Sequence, residues 1–492
     1  MVDRNLPIPI YYQLKSLLKE QIQEGSLRPG DQLPTEQEIC ARYAISRAPV
    51  RHALAELVQE GWVYRRAGQG TFVASVPAAL PIKRDAVRLL AYDVCWVTLL
   101  ERAIQRWNMR THRREVMLDV DMPSPLLFHG VLRDAVGAGE APDLVSIDYV
   151  WMHSYARGAY LAALEDISAD WARQITEDLE TPVLHSHRVD GKLYGIPIQA
   201  DVTGMWYRRD WFAEEGLAPP DTWDEWLMLI DYFARPEIRA RFGHRYPVVF
   251  PIGTETGEAV LNLLLPFFWA AGGDLLDESG AVVLETSEVY ETLRYLRSIT
   301  MERHCLPPEV VHFDWTDIPR LLAQGATPMT VGGSYEWHVL CESSPWEEAG
   351  DILQHFAFAP IPRPARDGTL VSSLGGTTWG VMRQSAQQKL IFELARLALS
   401  PELSVPFCLD SFQLSPLRSV NAQLAAQNAL WMEQVLPLLH AARPRPLVKG
   451  YVQISSFFQQ MIQQVLWEAA PVEETVRQAA RSIRLLQRSG SF

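Results

Sequence analysis

Apolar residues recur at Ile10, Leu14, Leu17, Leu18 and Ile22, a spacing that lays one stripe along a helix until Gly25 and the Pro29-Gly30 pair end it. Thr35-Glu36-Gln37-Glu38 has the form of a capping box, so a second helix is predicted from Thr35 through Ile39 to about Tyr43. After a short turn, Ser46 stands where it can cap a third helix. That helix carries Val50, Leu54, Leu57 and Val58 on one face and stops at Gly61. Pro49 falls in its first turn, where a missing N–H costs little. Trp62-Val63-Tyr64 and Thr71-Phe72-Val73 read as two short strands around the tip Arg65 to Gly70. Three helices and a hairpin wing are therefore predicted.

From Ala74 to Arg84 the pattern breaks. Pro77 and Pro81 and the lack of a periodic apolar face predict a semi-extended linker. Beyond it, Val87–Tyr92, Val116–Val120 and Asp143–Ile147 are strand-like runs separated by helical stretches, the alternation of a mostly parallel α/β sheet.

Charge sharpens this division. The 492 residues carry a formal net charge of −14, which excludes a chain coated in basic surface. Yet Arg42, Arg47, Arg51, Arg65 and Arg66 face only Glu56 and Glu60 between residues 42 and 66. The basic patch lies on the third helix and the wing. Cys40, Cys95, Cys305, Cys341 and Cys408 are scattered and odd in number, which indicates neither a disulfide framework nor a metal site. The first residues show no apolar leader, and Leu261 to Ala271, interrupted by Pro266, is too short to span a bilayer. A cytoplasmic protein without a membrane partner is expected.

Leu33-Pro34-Thr35-Glu36, Ser46-Arg47-x-Pro49-Val50-Arg51 and Gly68-x-Gly70-Thr71-Phe72-Val73 follow one another in an order that resembles the GntR-type winged helix-turn-helix. The resemblance implies double-stranded operator DNA as partner. Arg47 and Arg51, four residues apart, would reach base edges in the major groove, with Ser46 on a phosphate and Thr35 and Pro49 beside them. Gln37 stands where the family often has a DNA-contacting arginine. Gly68 and Gln69 at the wing tip would approach the minor groove.

A second resemblance covers most of residues 85–420. DGKLYGIPIQADVTGMWYRRDWFAEEGLAPPDTWDEW at 190–226 is similar to the carbohydrate-type, maltose-binding-protein-like solute-binding proteins of ABC importers. Tyr207-Arg208-Arg209-Asp210 departs from the family's Tyr-Asn-Lys-Asp. Further matches are APDLVSID at 141–148, AAGGDLLD at 270–277, PMTVGGSYEW at 328–337, LGGTTWGV at 374–381 and SPLRSV at 415–420. Together the two resemblances imply a multidomain α/β protein. A winged helix-turn-helix would occupy residues 1–75 and a linker 76–84. A two-lobed periplasmic-binding-protein-like (type II) α/β domain would fill 85–492, its strands crossing near 198–201 and 358–362.

Sugars present C–H faces and hydroxyl edges, so their sites pair aromatic platforms with carboxylate and amide acceptors. Carried over by motif, the ligand positions are Asp148, Tyr149 and Trp151, then Asp201, then Tyr335 with Trp337. Trp206, Trp269 and Trp379 are added from neighbouring motifs. The expected effector is a sugar or oligosaccharide, and the expected protein a homodimeric repressor without metal or cofactor.

Two enzymatic alternatives stand beside this reading. GntR-type heads are also fused to aminotransferase-like domains, which need a Schiff-base lysine. After Lys83 the chain offers only Lys192, Lys389 and Lys449, none in the setting of that fold. A glycoside hydrolase would need a carboxylate pair such as Asp201 and Glu336, but no motif fixes their separation. Binding without catalysis is the expectation.

Overall fold

The computed structural model describes residues 10–489 except 24–25, 44, 60–61, 67–69, 75–82, 92–94, 112–113, 124 and 347–348. The chain divides into two compact units, residues 1–146 with 384–398, and residues 147–383 with 399–492. No helix among the described residues is long and apolar enough to cross a membrane.

The first unit opens with α1 (Ile10–Gln23), α2 (Glu36–Tyr43) and α3 (Arg47–Gln59), followed by a hairpin of β1 (Val63–Arg66) and β2 (Gly70–Val73). Leu14 and Leu18 of α1 and Val50, Leu54 and Leu57 of α3 close one core with Leu33, Ile39, Val63 and Val73. The capping box at α2 is formed: Glu38 N–H donates to Thr35 Oγ1 at 3.3 Å, and Thr35 N–H to Glu38 Oε2 at 2.8 Å. The hairpin is antiparallel with Val63 opposite Val73 and Arg66 opposite Gly70, so both strands run further toward the tip than their apolar residues indicate.

The same unit continues into β3 (Lys83–Leu90), α4 (Cys95–Arg110), β4 (Arg114–Asp121) and α5 (Pro125–Ala138), and ends within β5 (Leu144–Asp148), whose last two residues belong to the second unit. β3 is central, parallel to β4 along its length and to β5 at Leu89 and Leu90. Because β3 begins at Lys83, the expected linker ends two residues early. The paired backbone extends the strand ahead of its first apolar residue, with Lys83, Arg84 and Asp85 opposite Arg114, Glu115 and Val116.

In the second unit, α6 (Tyr149–Arg157) starts where Asp148 caps it by accepting from Val150 N–H. The strand Asp201–Arg208 is the spine. It pairs antiparallel with Met329–Gly333 and with Phe356–Ala359, and its first residues pair with Ser372–Gly375. Ser372–Gly375 runs parallel to Ala442–Pro444, and Thr377–Val381 pairs with Ile196–Pro197. The passage between sheets thus lies at 198–201 beside 375–377. The expected crossing at 358–362 is replaced, because Phe358 and Ala359 stay paired to Trp206 and Met205 inside one sheet.

Two motif glycines have packing reasons. Gly195 has φ +69°, and a Cβ there would meet Thr378 Oγ1 at 2.5 Å. Gly376 has φ +142°, and a Cβ would meet the Gln199 carbonyl at 2.4 Å. Thr222 and Glu225, in the Thr-Trp-Asp-Glu motif, form a reciprocal capping box.

Candidate functional site

In the head, the N-terminal turn of α3 is presented outward. Ser46, Arg47 and Arg51 are exposed, Pro49 half-buried, and Gln37 and Thr35 are exposed on and just before α2. Arg51 Nε donates to Glu36 Oε2 at 3.1 Å, which holds the guanidinium between the two helices. Gly68 and Gln69 lie outside the described residues. A helix N-terminus with two exposed arginines suits phosphate and base-edge acceptors.

The second unit gathers a buried polar site. Gln199 Nε2 donates to Asp201 Oδ1 and to Gln413 Oε1, both at 2.8 Å, and Ser334 Oγ reaches Asp201 Oδ1 at 3.4 Å. Across the strand pair, Ser373 Oγ donates to Asn262 Oδ1 and Thr203 Oγ1 to the Asn262 carbonyl, each at 2.8 Å. Tyr335 directly follows Ser334, which bonds Asp201.

Asn262 lies one turn after Glu258 on the helix Glu258–Ala270, so one helix face serves two clusters. The second cluster centres on Arg445, 2% exposed. Its Nη2 donates to both oxygens of Asp148 at 2.8 Å, and its Nη1 to Glu258 Oε2 at 3.1 Å. Arg445 N–H donates to the Tyr149 hydroxyl at 2.8 Å, and that hydroxyl donates to the Leu374 carbonyl at 3.0 Å. Tyr451 donates to Glu258 Oε2 at 2.8 Å, and Ser455 bonds the other oxygen. Burial pushes the Tyr149 phenol up to about 12. Burial also raises Glu258, against the pull of Arg445. For Arg445 burial acts the other way, but Asp148 and its neighbours outweigh it and the guanidinium stays charged.

Asp148, Tyr149, Asp201 and Tyr335 are therefore brought into this polar region. The tryptophans are not all alike. Trp206 is wholly buried, stacked on Trp431 with centroids 5.4 Å apart, its indole N–H held by the Gly333 carbonyl. Trp337 stacks on Phe412 at 4.0 Å in the same aromatic core, and Trp379 is buried on its strand. These three offer no open face. Trp269 is held by Asp274 through its N–H and covered by the Arg443 guanidinium, and Trp151 is half-buried.

Sequence reasoning missed Gln199, which lies inside the 190–226 motif but was not singled out, and Asn262, Glu258, Gln413 and Arg445, which lie outside the quoted motifs. It also missed Trp315, 37% exposed, whose ring stands 5.9 Å from Tyr335 and 5.6 Å from His338. A separate cavity of about 540 Å³ lies beside Arg208, Gly325, Ser344 and Trp346. It holds none of the expected ligand residues, and Arg208 there is already paired bidentately with Asp210. Lys389 and Lys449 are exposed, and Lys192 is bonded to Asp166 at 2.6 Å.

Two family models match separate stretches of the chain. The family described as bacterial regulatory proteins, gntR family, matches residues 10–73. The family described as bacterial extracellular solute-binding protein matches residues 129–403, more than half of the chain. The head is 49% identical over 73 residues to the HTH-type transcriptional repressor NagR of Bacillus subtilis, covering 15% of this chain and 30% of that protein. The chain spans about a third of the length of such curated regulators. An arabinooligosaccharide-binding protein of Bacillus subtilis is 23% identical over 306 residues, covering 61% of this chain and 65% of that one. Among solved structures, maltose-bound T. maritima MalE3 superposes with a TM-score of 0.70 at 22% identity, over 82% of this chain and 99% of the other, which shows the fold. The chain belongs to the bacterial extracellular solute-binding protein family and carries a gntR-type regulatory head in front of that module.

Proposed function

We propose that this protein is a DNA-binding transcriptional repressor that uses its solute-binding module to sense a carbohydrate. The observation that carries the reading is the presence in one chain of an exposed Arg47 and Arg51 pair on a gntR-type head and a buried hydroxyl, amide and carboxylate cluster around Asp201. NagR is a repressor by name, and the relative over the second module binds arabinooligosaccharides by name. In this reading the protein works in the cytoplasm, where its DNA is, and needs no catalytic step.

Arg47 and Arg51 read base edges, Ser46 and Thr35 meet phosphates, and Gln37, Pro49, Gly68 and Gln69 complete the contact surface. One head offers few contacts, so two copies bind a two-fold symmetric operator. Asp201, Asp148 and Tyr335 take sugar hydroxyls, and Trp315, with Trp151, supplies the apolar face. Asp201 is buried, so a solute reaches it only when the surrounding elements part, and it stabilises whichever arrangement it bridges. Selection of duplexes from a random pool, followed by a thermal-shift screen against mono- and oligosaccharides, tests both halves. Enrichment of a palindrome and a sugar-dependent rise in unfolding temperature are expected. Reducing ends released from an oligosaccharide by the pure protein would favour the hydrolase alternative.

A further inference from the structure

Lysine is rarely buried, because its ammonium loses water that acceptor oxygens must replace and a carboxylate replaces best. Lys15 is 2% exposed, on α1 between the core residues Leu14 and Leu18. Its Nζ donates to Glu56 Oε2 on α3 at 2.7 Å and to Glu101 Oε2 on α4 at 3.3 Å. The two carboxylates have different addresses. Glu56 belongs to the recognition helix of the head. Glu101 belongs to the first helix after β3, which packs along the helix Gln388–Ala398 of the same unit and is no part of the winged helix.

The contact continues toward the reading face. Glu56 Oε1 meets His52 Nε2 at 3.1 Å one turn earlier on α3, and the His52 ring stacks on Tyr11 with centroids 4.1 Å apart. Burial disfavours a charge on Glu56, but His52 and Lys15 outweigh it and hold the carboxyl below its usual range. His52 is the immediate neighbour of Arg51. Glu101, Lys15, Glu56 and His52 thus form one chain of contacts from α4 to the residue beside a base-reading arginine.

Packing inside the head does not call for this charge, since Leu14, Leu18, Val50, Leu54 and Leu57 already fix α1 against α3. What the ammonium adds is direction, because a buried cation accepts only partners placed where its N–H groups point. We infer that Lys15 is a positioning residue for DNA reading, tying the recognition helix to the first helix beyond the linker so that the pose of α3 follows the position of α4. The inference rests on the head being a DNA reader.

The test uses the full chain and a duplex that the parent protein selects from a random pool. If the parent selects none, the DNA-reading assignment fails before any variant is made. Given a selected duplex, fluorescence anisotropy at fixed salt compares the parent with Glu101→Gln, Lys15→Gln, the double variant and Lys15→Arg. Glu101→Gln lies outside the head and leaves the Lys15–Glu56 pair in place, so it carries the test even if Lys15→Gln does not fold. It is expected to weaken binding by about fivefold or more without changing base preference. Lys15→Arg, which still presents donors to both carboxylates, should stay within about twofold of the parent. In the Lys15→Gln background the Glu101→Gln loss should vanish. Parent-like binding by Glu101→Gln, or losses that simply multiply in the double variant, would overturn the inference.

Discussion

The head and the solute-binding module present their binding groups in opposite ways. The head holds the residues proposed to read DNA, Arg47 and Arg51, on consecutive turns of one short helix, exposed, above an apolar core that does the folding. The module draws its polar residues from positions as far apart as 148 and 445 and buries or half-buries them, so the groups proposed to meet a ligand also hold the fold together. A face like the first can be altered with little harm to stability. A site like the second cannot, because each polar group removed leaves a buried partner unsatisfied.

Arg445 is where the contrast should be largest. Replacing it with Met leaves Asp148 and Glu258, 17% and 21% exposed, without their buried cation, and breaking a buried ion pair from one side costs up to about 3–5 kcal/mol. Urea unfolding should show a midpoint far below that of the parent. A parent-like midpoint would mean that Asp148 and Glu258 find other partners, and the contrast would lose its strongest case. Trp206→Ala follows, at about 3–5 kcal/mol, since it empties the ring stacked against Trp431. Trp315→Ala, at a half-exposed ring, should leave the midpoint within about 0.5 kcal/mol and reduce the sugar-induced thermal shift. Equal stability losses for the two tryptophans would contradict the division into core and contact rings.

The head was legible because its signals are local. The Thr35–Glu38 cap and the apolar face of α3 lie within a few residues of each other, and both recur in the structure. What stayed hidden was Lys15, which breaks the apolar stripe and answers to Glu101, a residue that no local pattern links to it. In the module the motif glycines were legible, yet their reasons were not, since Gly376 is required by the backbone at Gln199 rather than by its own neighbours. Asp148 and Asp201 were found through motifs. Arg445, Gln413 and Asn262 were not, because only the pairing of Ala442–Pro444 with Ser372–Gly375, the bridge between Ala200 and Leu414, and the helix from Glu258 bring them to that region. Aromatic residues misled in one direction. A Trp beside a motif marks a strand well, and a strand buried on both faces, as Asp201–Arg208 is, puts that Trp in the core.

On the exposed side of the comparison, Arg47→Ala and Arg51→Ala should each weaken binding to the selected duplex by about 1–3 kcal/mol and relax base preference. Their unfolding midpoints should match the parent. Arg51→Ala also frees Glu36 from its 3.1 Å partner, but an exposed pair of this kind contributes little to stability. A large stability loss in either variant would show that the reading face is structural after all.

The smallest effect concerns acid and falls on the module. Asp210 accepts from Arg208 at 2.8 Å and from His355 at 2.8 Å; burial would raise its carboxyl, but these donors outweigh it and hold it below the ordinary value. A carboxyl whose folded value lies below its unfolded one binds fewer protons in the folded state. Its stabilisation is therefore complete above the unfolded value, about 3.9, and fades as pH falls through the folded one. In Asp210→Asn this contribution is absent at every pH, so the gap in unfolding midpoint between parent and variant should be widest near pH 7 and shrink below about pH 4. Other carboxylates titrate in both proteins and cancel in the difference. The head has no part in this cluster, so DNA affinity at neutral pH should not change. A gap that stays constant down to pH 3 would mean that the Asp210 carboxylate is no better placed in the fold than in the unfolded chain.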